Sequence, residues 1–255
     1  MGHFSHKQNF LGGVAVLTMA VVVVKLISAV YKIPLGNLLD DEGMGHFNIA
    51  YNVYNFLLQL STAGFPLALS KMTSEAMALG HFNQARRQFR VAAVLFFVLG
   101  AAASAVMFFC AGPLAELMND SLAYYPIKVL SPAVFFVCLI GCFRGYTQGR
   151  GNMVPTAASQ VLEATFKLFI GLGLAWYVLN TLSVSVEIGA AAAIFGVTVG
   201  SAAAALFLIT WLLRHRLSSR SGEQAQHAGP ILKKLLLIGV PITLGSSVMS
   251  IITLV

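Results

Sequence analysis

Long apolar stretches separated by short polar segments run the whole length of this chain. Stretches of about 20 residues, the length a membrane helix needs, occur near 10–33, 46–69, 91–113, 124–143, 155–179, 187–213 and 233–255. The pattern predicts about seven transmembrane helices. Within three of them the polar positions form stripes. Thr18, Lys25, Ser28 and Lys32 are spaced by 7, 3 and 4 residues. Asn48, Asn52, Asn55 and Gln59 are spaced by 4, 3 and 4, and so are Thr156, Gln160, Glu163 and Lys167. Steps of three and four place each set on one helical face. A polar group facing lipid has no partner, so the stripes are expected to point inward. They can serve as interhelical glue, at about 0.6 kcal/mol per hydrogen bond, or line a hydrated central cavity. Ionisable groups on two of the three stripes favour the cavity.

Composition agrees with the periodicity. Of 255 residues, 58% are hydrophobic and 10% are charged, against about 45–50% and about 25% in soluble domains. The chain reads as an integral membrane protein. Its first apolar stretch exceeds a signal-peptide core and has no small-residue cleavage site after it. The net charge of +7 would suit nucleic acid, but its placement argues otherwise. The N-terminus carries Lys7. The second connection carries Lys71, Arg86, Arg87 and Arg90, the fourth Arg144 and Arg150, and the sixth Arg214, Arg216, Arg220, Lys233 and Lys234. The alternate connections hold Asp40, Asp41 and Glu42, then Glu116 and Asp120, then Glu187. The positive-inside rule puts the N-terminus and the cationic connections in the cytoplasm, unlike the common seven-helix receptors. Cys110, Cys138 and Cys142 lie in apolar runs without metal-ligand spacing and read as small apolar side chains. No phosphate-binding loop is present: "GGVAVL" and "GRGNMVP" lack the Gly-Lys-Ser/Thr ending. A non-enzymatic protein without a cofactor or metal is expected.

Charge sets the chemistry of such a cavity. Glu163 and Lys167 form an (i, i+4) pair in the favourable order, which predicts an intramembrane ion pair. Lys25 and Lys32 have no acid in their own helix, and a charge near the bilayer centre costs about 2.5–3.5 kcal/mol on insertion scales. The balance is cationic, and a cationic cavity with low-dielectric walls attracts an anion. Lysine is a common point-charge binder of phosphate. Lys25, deeper in its span, is the stronger candidate, since Lys32 can snorkel to the outer interface.

The polar run "RHRLSSRSGEQAQHAGPILKK" (214–234) divides six helices from a seventh. We read 1–213 as a six-helix lobe, 214–234 as a cytoplasmic linker, and 235–255 as the first helix of a second lobe. The seventh span runs straight into the C-terminus, as expected of part of a longer protein. It loosely echoes the first, each opening Gly-Val, and transporters are often built from repeated halves. Pro66, Pro132 and Pro241 are expected to break or bend their helices. Gly196 and Gly200 make a small-xxx-small step for close helix packing.

The segment "KLISAVYKIPLGNLLDDEGMGHFNIAYNVYNFLLQLSTAGFPLALSKMTSEAMALG" resembles the first two helices of the stage V sporulation protein B and lipid II flippase branch of the multidrug/oligosaccharidyl-lipid/polysaccharide (MOP) exporter superfamily. So does "FRGYTQGRGNMVPTAASQVLEATFKLFIGLGLAW", and "GVPITLGSSVM" fits too. The resemblance implies an all-α MATE-like fold of two six-helix lobes around a central cavity. It also implies a bacterial cytoplasmic-membrane protein that moves a polyprenyl-pyrophosphate-linked saccharide, such as lipid II, between leaflets. This would serve cell-wall, polysaccharide or spore assembly. Cations on the first helix line the cavity in this family, and Lys25 and Lys32 stand close to their place. The better-known Gram-negative branch has arginines there, so the bidentate fork is lost and the charge kept. The family's aspartate near the start of the second helix has no clear carrier in "GMGHFN", where His46 could occupy the place. Without a nucleotide site, an ion gradient or the membrane potential must drive the cycle. Three other readings remain open at this point: a cation-coupled multidrug exporter of the same superfamily, a non-transporting membrane scaffold, and, for the 255-residue chain by itself, an inactive fragment.

Overall fold

The computed structural model describes residues 2–62, 64–182, 184–215 and 226–254. All regular elements among them are helical: α1 (Gly2–Thr62), α2 (Phe65–Ala78), α3 (Phe82–Phe109), α4 (Ala111–Leu117), α5 (Tyr124–Gly149), α6 (Val154–Phe166), α7 (Leu172–Asn180), α8 (Val186–Arg214) and α9 (Ala228–Leu254). A short 3₁₀ turn, Ser121–Ala123, precedes α5, and a π-helical turn, Lys167–Gly171, joins α6 to α7.

Six stretches are long and apolar enough to cross a membrane: Gly12–Gln59, Phe82–Phe109, Ser121–Gly149, Val154–Asn180, Val186–Arg214 and Ala228–Gly245. The first, at 48 residues, would be about 72 Å long if straight, more than twice the hydrocarbon thickness. It is not straight. Asp40 takes φ 51°, ψ −172°, a positive φ that aspartate tolerates better than most residues. The chain folds back there. The rings of Tyr31 and Phe47 lie 6.3 Å apart, whereas 16 residues of unbroken helix would separate them by about 24 Å. The stretch therefore makes two passes, residues 2–39 and 41–62, and seven passes are available. Asp40, Asp41 and Glu42 are exposed at the fold-back.

Helix boundaries differ from the expected ones where charge had suggested a connection. Arg86, Arg87 and Arg90 lie in the first turns of α3, and Arg144 lies inside α5. Pro66 does not bend a helix; it sits in the first turn of α2, where its missing N–H costs nothing. Pro34, inside α1, joins Pro132 and Pro241 within helices. Of the linker expected at 214–234, residues 216–225 lie outside the described residues, Arg214 ends α8, and 228–234 already belong to α9. Gln226 beyond it is held by Gln84, whose Oε1 accepts from the Gln226 backbone N–H at 2.7 Å.

Two large apolar clusters and a smaller one around Ile140, Ala204, Ala205 and Leu208 form the core. The first large cluster joins Tyr31, Leu35, Phe47, Tyr54, Ile127 and Ile194; the second joins Phe65, Leu69, Met72, Phe96, Tyr146 and Leu235. Cys138 belongs to the first and Cys142 to the second, and all three cysteines are free. Glycine seams set the closest approaches. Gly141, Gly145 and Gly149 on α5 seat α2: a Cβ on Gly145 would lie 2.5 Å from the Pro66 carbonyl oxygen, and one on Gly149 2.6 Å from that of Ser70. On α8, a Cβ at Gly196 would lie 2.4 Å from Gly171 Cα, and one at Gly200 2.7 Å from the Glu163 carbonyl oxygen. The small step at 196 and 200 thus packs α8 against the segment that carries Glu163 and Lys167. The seventh pass, α9, packs on α1, α2 and α3, with Thr243 Oγ1 accepting from the Gly64 N–H at 3.0 Å.

Candidate functional site

The three polar stripes end up in two environments. The α6 stripe is turned into the bundle. Thr156 is buried, with its hydroxyl 3.3 Å from that of Thr147 on α5. Gln160 is half-buried, and its Oε1 is enclosed without a hydrogen-bond partner. Glu163 accepts from Arg144 Nη2 at 3.0 Å, while Arg144 Nε donates to Ser159 Oγ at 2.9 Å. Ser159 and Glu163 are one helical turn apart, and the planar guanidinium spans that turn with two donors.

This arrangement replaces the expected Glu163–Lys167 pair. Lys167 instead places Nζ 4.9 Å from the ring centre of Tyr31 and 4.8 Å from that of Tyr51, residues from the two passes of α1. The cause is local. Lys167 opens the π turn, and such turns displace side chains from α-helical register. Glu163, already engaged from α5, stays with Arg144. A cation held over two partly desolvated rings gains about 0.5–2 kcal/mol. Tyr31, Tyr51 and Arg144 were not singled out by sequence. The tyrosines carry no spacing signal, and Arg144 falls in the expected fourth connection.

The stripes on α1 are mostly exposed. Lys25, Lys32, Asn48, Asn52 and Asn55 all lie on the surface of this seven-pass body, and Ser28 and Gln59 are half-buried. Thr18 is exposed and bonds back to the Val14 carbonyl at 3.0 Å. Lys25 and Lys32 make no ion pair among the described residues. Glu163 attracts the Lys167 charge, and Lys32 repels it more weakly. With Arg144 paired to Glu163, Lys25 and Lys32 stand within α1 without an ion pair among the described residues, while Lys167 keeps Glu163 within electrostatic reach.

The outer end is separate from this face. His46 Nδ1 meets Asp120 Oδ2, tying the second pass of α1 to the turn before α5, and His46 Nε2 is buried without a partner. The cations Lys71, Arg86, Arg87, Arg90, Arg150 and Lys234 gather at the other end. There Lys234 Nζ meets Glu75 Oε2 at 2.6 Å.

Seven apolar passes, charges sorted by end, and a bundle seamed by glycine define a multi-pass membrane protein, placed in the cell membrane. Its fold is that of the MOP transporters: it matches a MOP superfamily transporter from Pyrococcus furiosus with a TM-score of 0.76 at 19% identity, over 94% of this chain and 53% of that one. The family of polysaccharide biosynthesis proteins matches residues 10–255, and the chain belongs to it. Among its Bacillus subtilis relatives, the membrane protein YabM is 32% identical over 95% of this chain and 45% of its own length. Stage V sporulation protein B is 29% identical over 79% of this chain and 39% of its own. Lipid II flippase MurJ is 28% identical over 76% of this chain and 38% of its own. The chain spans about half the length of these relatives or less.

Proposed function

We propose that the protein, with a second lobe facing the first, moves a polyprenyl-pyrophosphate-linked saccharide such as lipid II across the cytoplasmic membrane by alternating access. In this reading residues 1–213 form the N-terminal lobe, a cytoplasmic linker follows within 214–234, and the second lobe opens with α9. The observation that carries it is the exposed polar face of α1. Lys25 and Lys32 are exposed on its first pass without an ion pair among the described residues, and Asn48, Asn52 and Asn55 are exposed on its second. Left in lipid, each lysine would cost about 2.5–3.5 kcal/mol. A cavity between two lobes removes that cost and supplies water and an anionic ligand. The lysines would take the pyrophosphate, and the Asn and Gln groups the sugar hydroxyls, in place of a hydration shell. The acyl tail would stay in the bilayer, and an ion or the membrane potential would bias the cycle.

A multidrug exporter driven by a coupling cation needs a carboxylate free to hold it. Glu163 is engaged by Arg144, which weighs against that reading. The test uses the full-length protein in a flippase-depleted bacterial strain. Lys25→Ala and Lys32→Ala are each expected to abolish growth at unchanged expression, and Lys25→Arg to keep it. Normal growth of both alanine variants would remove the anion site, and dye efflux that depends on Glu163 would reverse the ranking.

A further inference from the structure

The cytoplasmic end of α3 carries chemistry that the face of α1 does not use. Arg86, Arg87 and Arg90 lie in its first turns. Below them the apolar positions continue the same face: residues 87, 91, 94 and 98 step by 4, 3 and 4, so Arg87, Val91, Val94 and Val98 form one stripe. The start of α9, with Ala228, Gly229 and Leu232, faces it across a groove of about 470 Å³. Arg87 and Arg90 head this groove, and every other lining residue is apolar.

Three observations point to what fills it. Arg87 Nε is buried and has no hydrogen-bond partner among the described residues, a costly state for a charged group unless a ligand supplies an acceptor. Among the described residues, Glu75 is the one carboxylate at this end, and Lys234 already holds it. Val94 is 66% exposed and Val98 57%, so the stripe is open along its length. From residue 87 to 98 a helix rises about 16 Å, about half of the 30 Å hydrocarbon thickness, the depth of one leaflet.

We propose that this groove binds an anionic glycerophospholipid of the cytoplasmic leaflet, its phosphate between Arg87 and Arg90 and one acyl chain along Val91, Val94 and Val98. The guanidinium fork suits a phosphate, and basic pockets between helices on the cytoplasmic side take anionic headgroups for this reason. The two walls come from α3 and α9, helices on either side of residues 216–225. A bound lipid therefore braces α9 against α3. The site is independent of the transport proposed above.

The test measures lipid retained by the purified 255-residue chain in detergent, by native mass spectrometry, with phosphatidylglycerol and phosphatidylcholine as probes. One phosphatidylglycerol is expected to be retained, preferred over phosphatidylcholine by about tenfold. The double variant Arg87→Gln/Arg90→Gln is expected to erase the preference. Val94→Trp keeps every charge, sits at an exposed position and fills the groove, and is expected to erase it too. Arg214→Gln, outside the groove, should leave it unchanged. Loss in the arginine variant alone would reduce the effect to bare surface charge and overturn the proposal. Retention of the preference in the arginine variant would overturn it as well. So would displacement of the lipid by millimolar glycerol 3-phosphate, which would make the site one for a soluble anion.

Discussion

Arg144 and Glu163 meet at 3.0 Å between α5 and α6, with Ser159 completing the arginine's contacts, whereas Lys25 and Lys32 lie exposed along α1 with no ion pair among the described residues. Both sets sit in apolar passes, yet only one is closed within the chain. A closed pair in a bundle is a structural device: each charge is the other's solvent. Open lysines on the surface of a membrane body have no such account within these seven passes. They need a partner from outside it, whether a facing lobe, water or an anionic ligand. The difference separates the charges that hold the fold from those that await something. Lys167 stands between the two. It lies over the rings of Tyr31 and Tyr51, attracted by Glu163 and more weakly repelled by Lys32.

Experiments can break this contrast in descending order of effect. The closed pair depends on the seam that seats α6 and the π turn against α8. Gly196→Leu forces a side chain onto Gly171 Cα, where even a Cβ would lie at 2.4 Å. Backbone cannot yield as a side-chain tip does, so a loss above about 3 kcal/mol is expected. Size-exclusion chromatography in detergent should show no monodisperse peak, and a normal peak with an unchanged Tm would show the seam to be loose.

Removing one partner of the closed pair comes next. Glu163→Ala leaves Arg144 without its carboxylate. Fully buried pairs lose about 3–5 kcal/mol on such a change. With side chains 18% and 24% exposed, about 2–3 kcal/mol is expected here after screening. The double variant Arg144→Ala/Glu163→Ala should recover about 1–2 kcal/mol of that sum. Strict additivity in thermal unfolding would show that the two groups do not interact.

The open lysines should give the smallest change in stability. Lys25→Leu and Lys32→Leu are expected to alter it by less than about 1 kcal/mol, or to raise it, since each removes a charge from an apolar pass. The same changes should abolish complementation. A large fall in Tm would place these lysines among the structural charges and erase the contrast.

Much of this organisation was legible in residue pattern. The seven passes, the sorting of charge to two ends and the glycine step at 196 and 200 all follow from periodicity, because lipid imposes one requirement on every exposed position. The stripes were legible as faces but not as environments. Periodicity says that Thr156, Gln160, Glu163 and Lys167 share a side of a helix; it does not say what that side meets. The second glycine seam, at 141, 145 and 149, lay in view as a four-residue spacing. Its arginine-bearing surroundings have the charge of a connection, so spacing alone does not mark it as a packing face.

Local sequence, then, determined the number of passes, their orientation, and which side chains travel together. The tertiary structure decided the pairings. Arg144 outcompetes Lys167 for Glu163 because its fork reaches two acceptors one turn apart, and because the π turn carries Lys167 to the tyrosines of α1. The positive-φ backbone at Asp40 folds one long apolar stretch back on itself and brings Tyr31 and Tyr51 to the same lysine. Composition and spacing act along the chain, within a few residues. A charge inside a membrane chooses its partner by distance and desolvation, and those quantities exist only once the helices have packed.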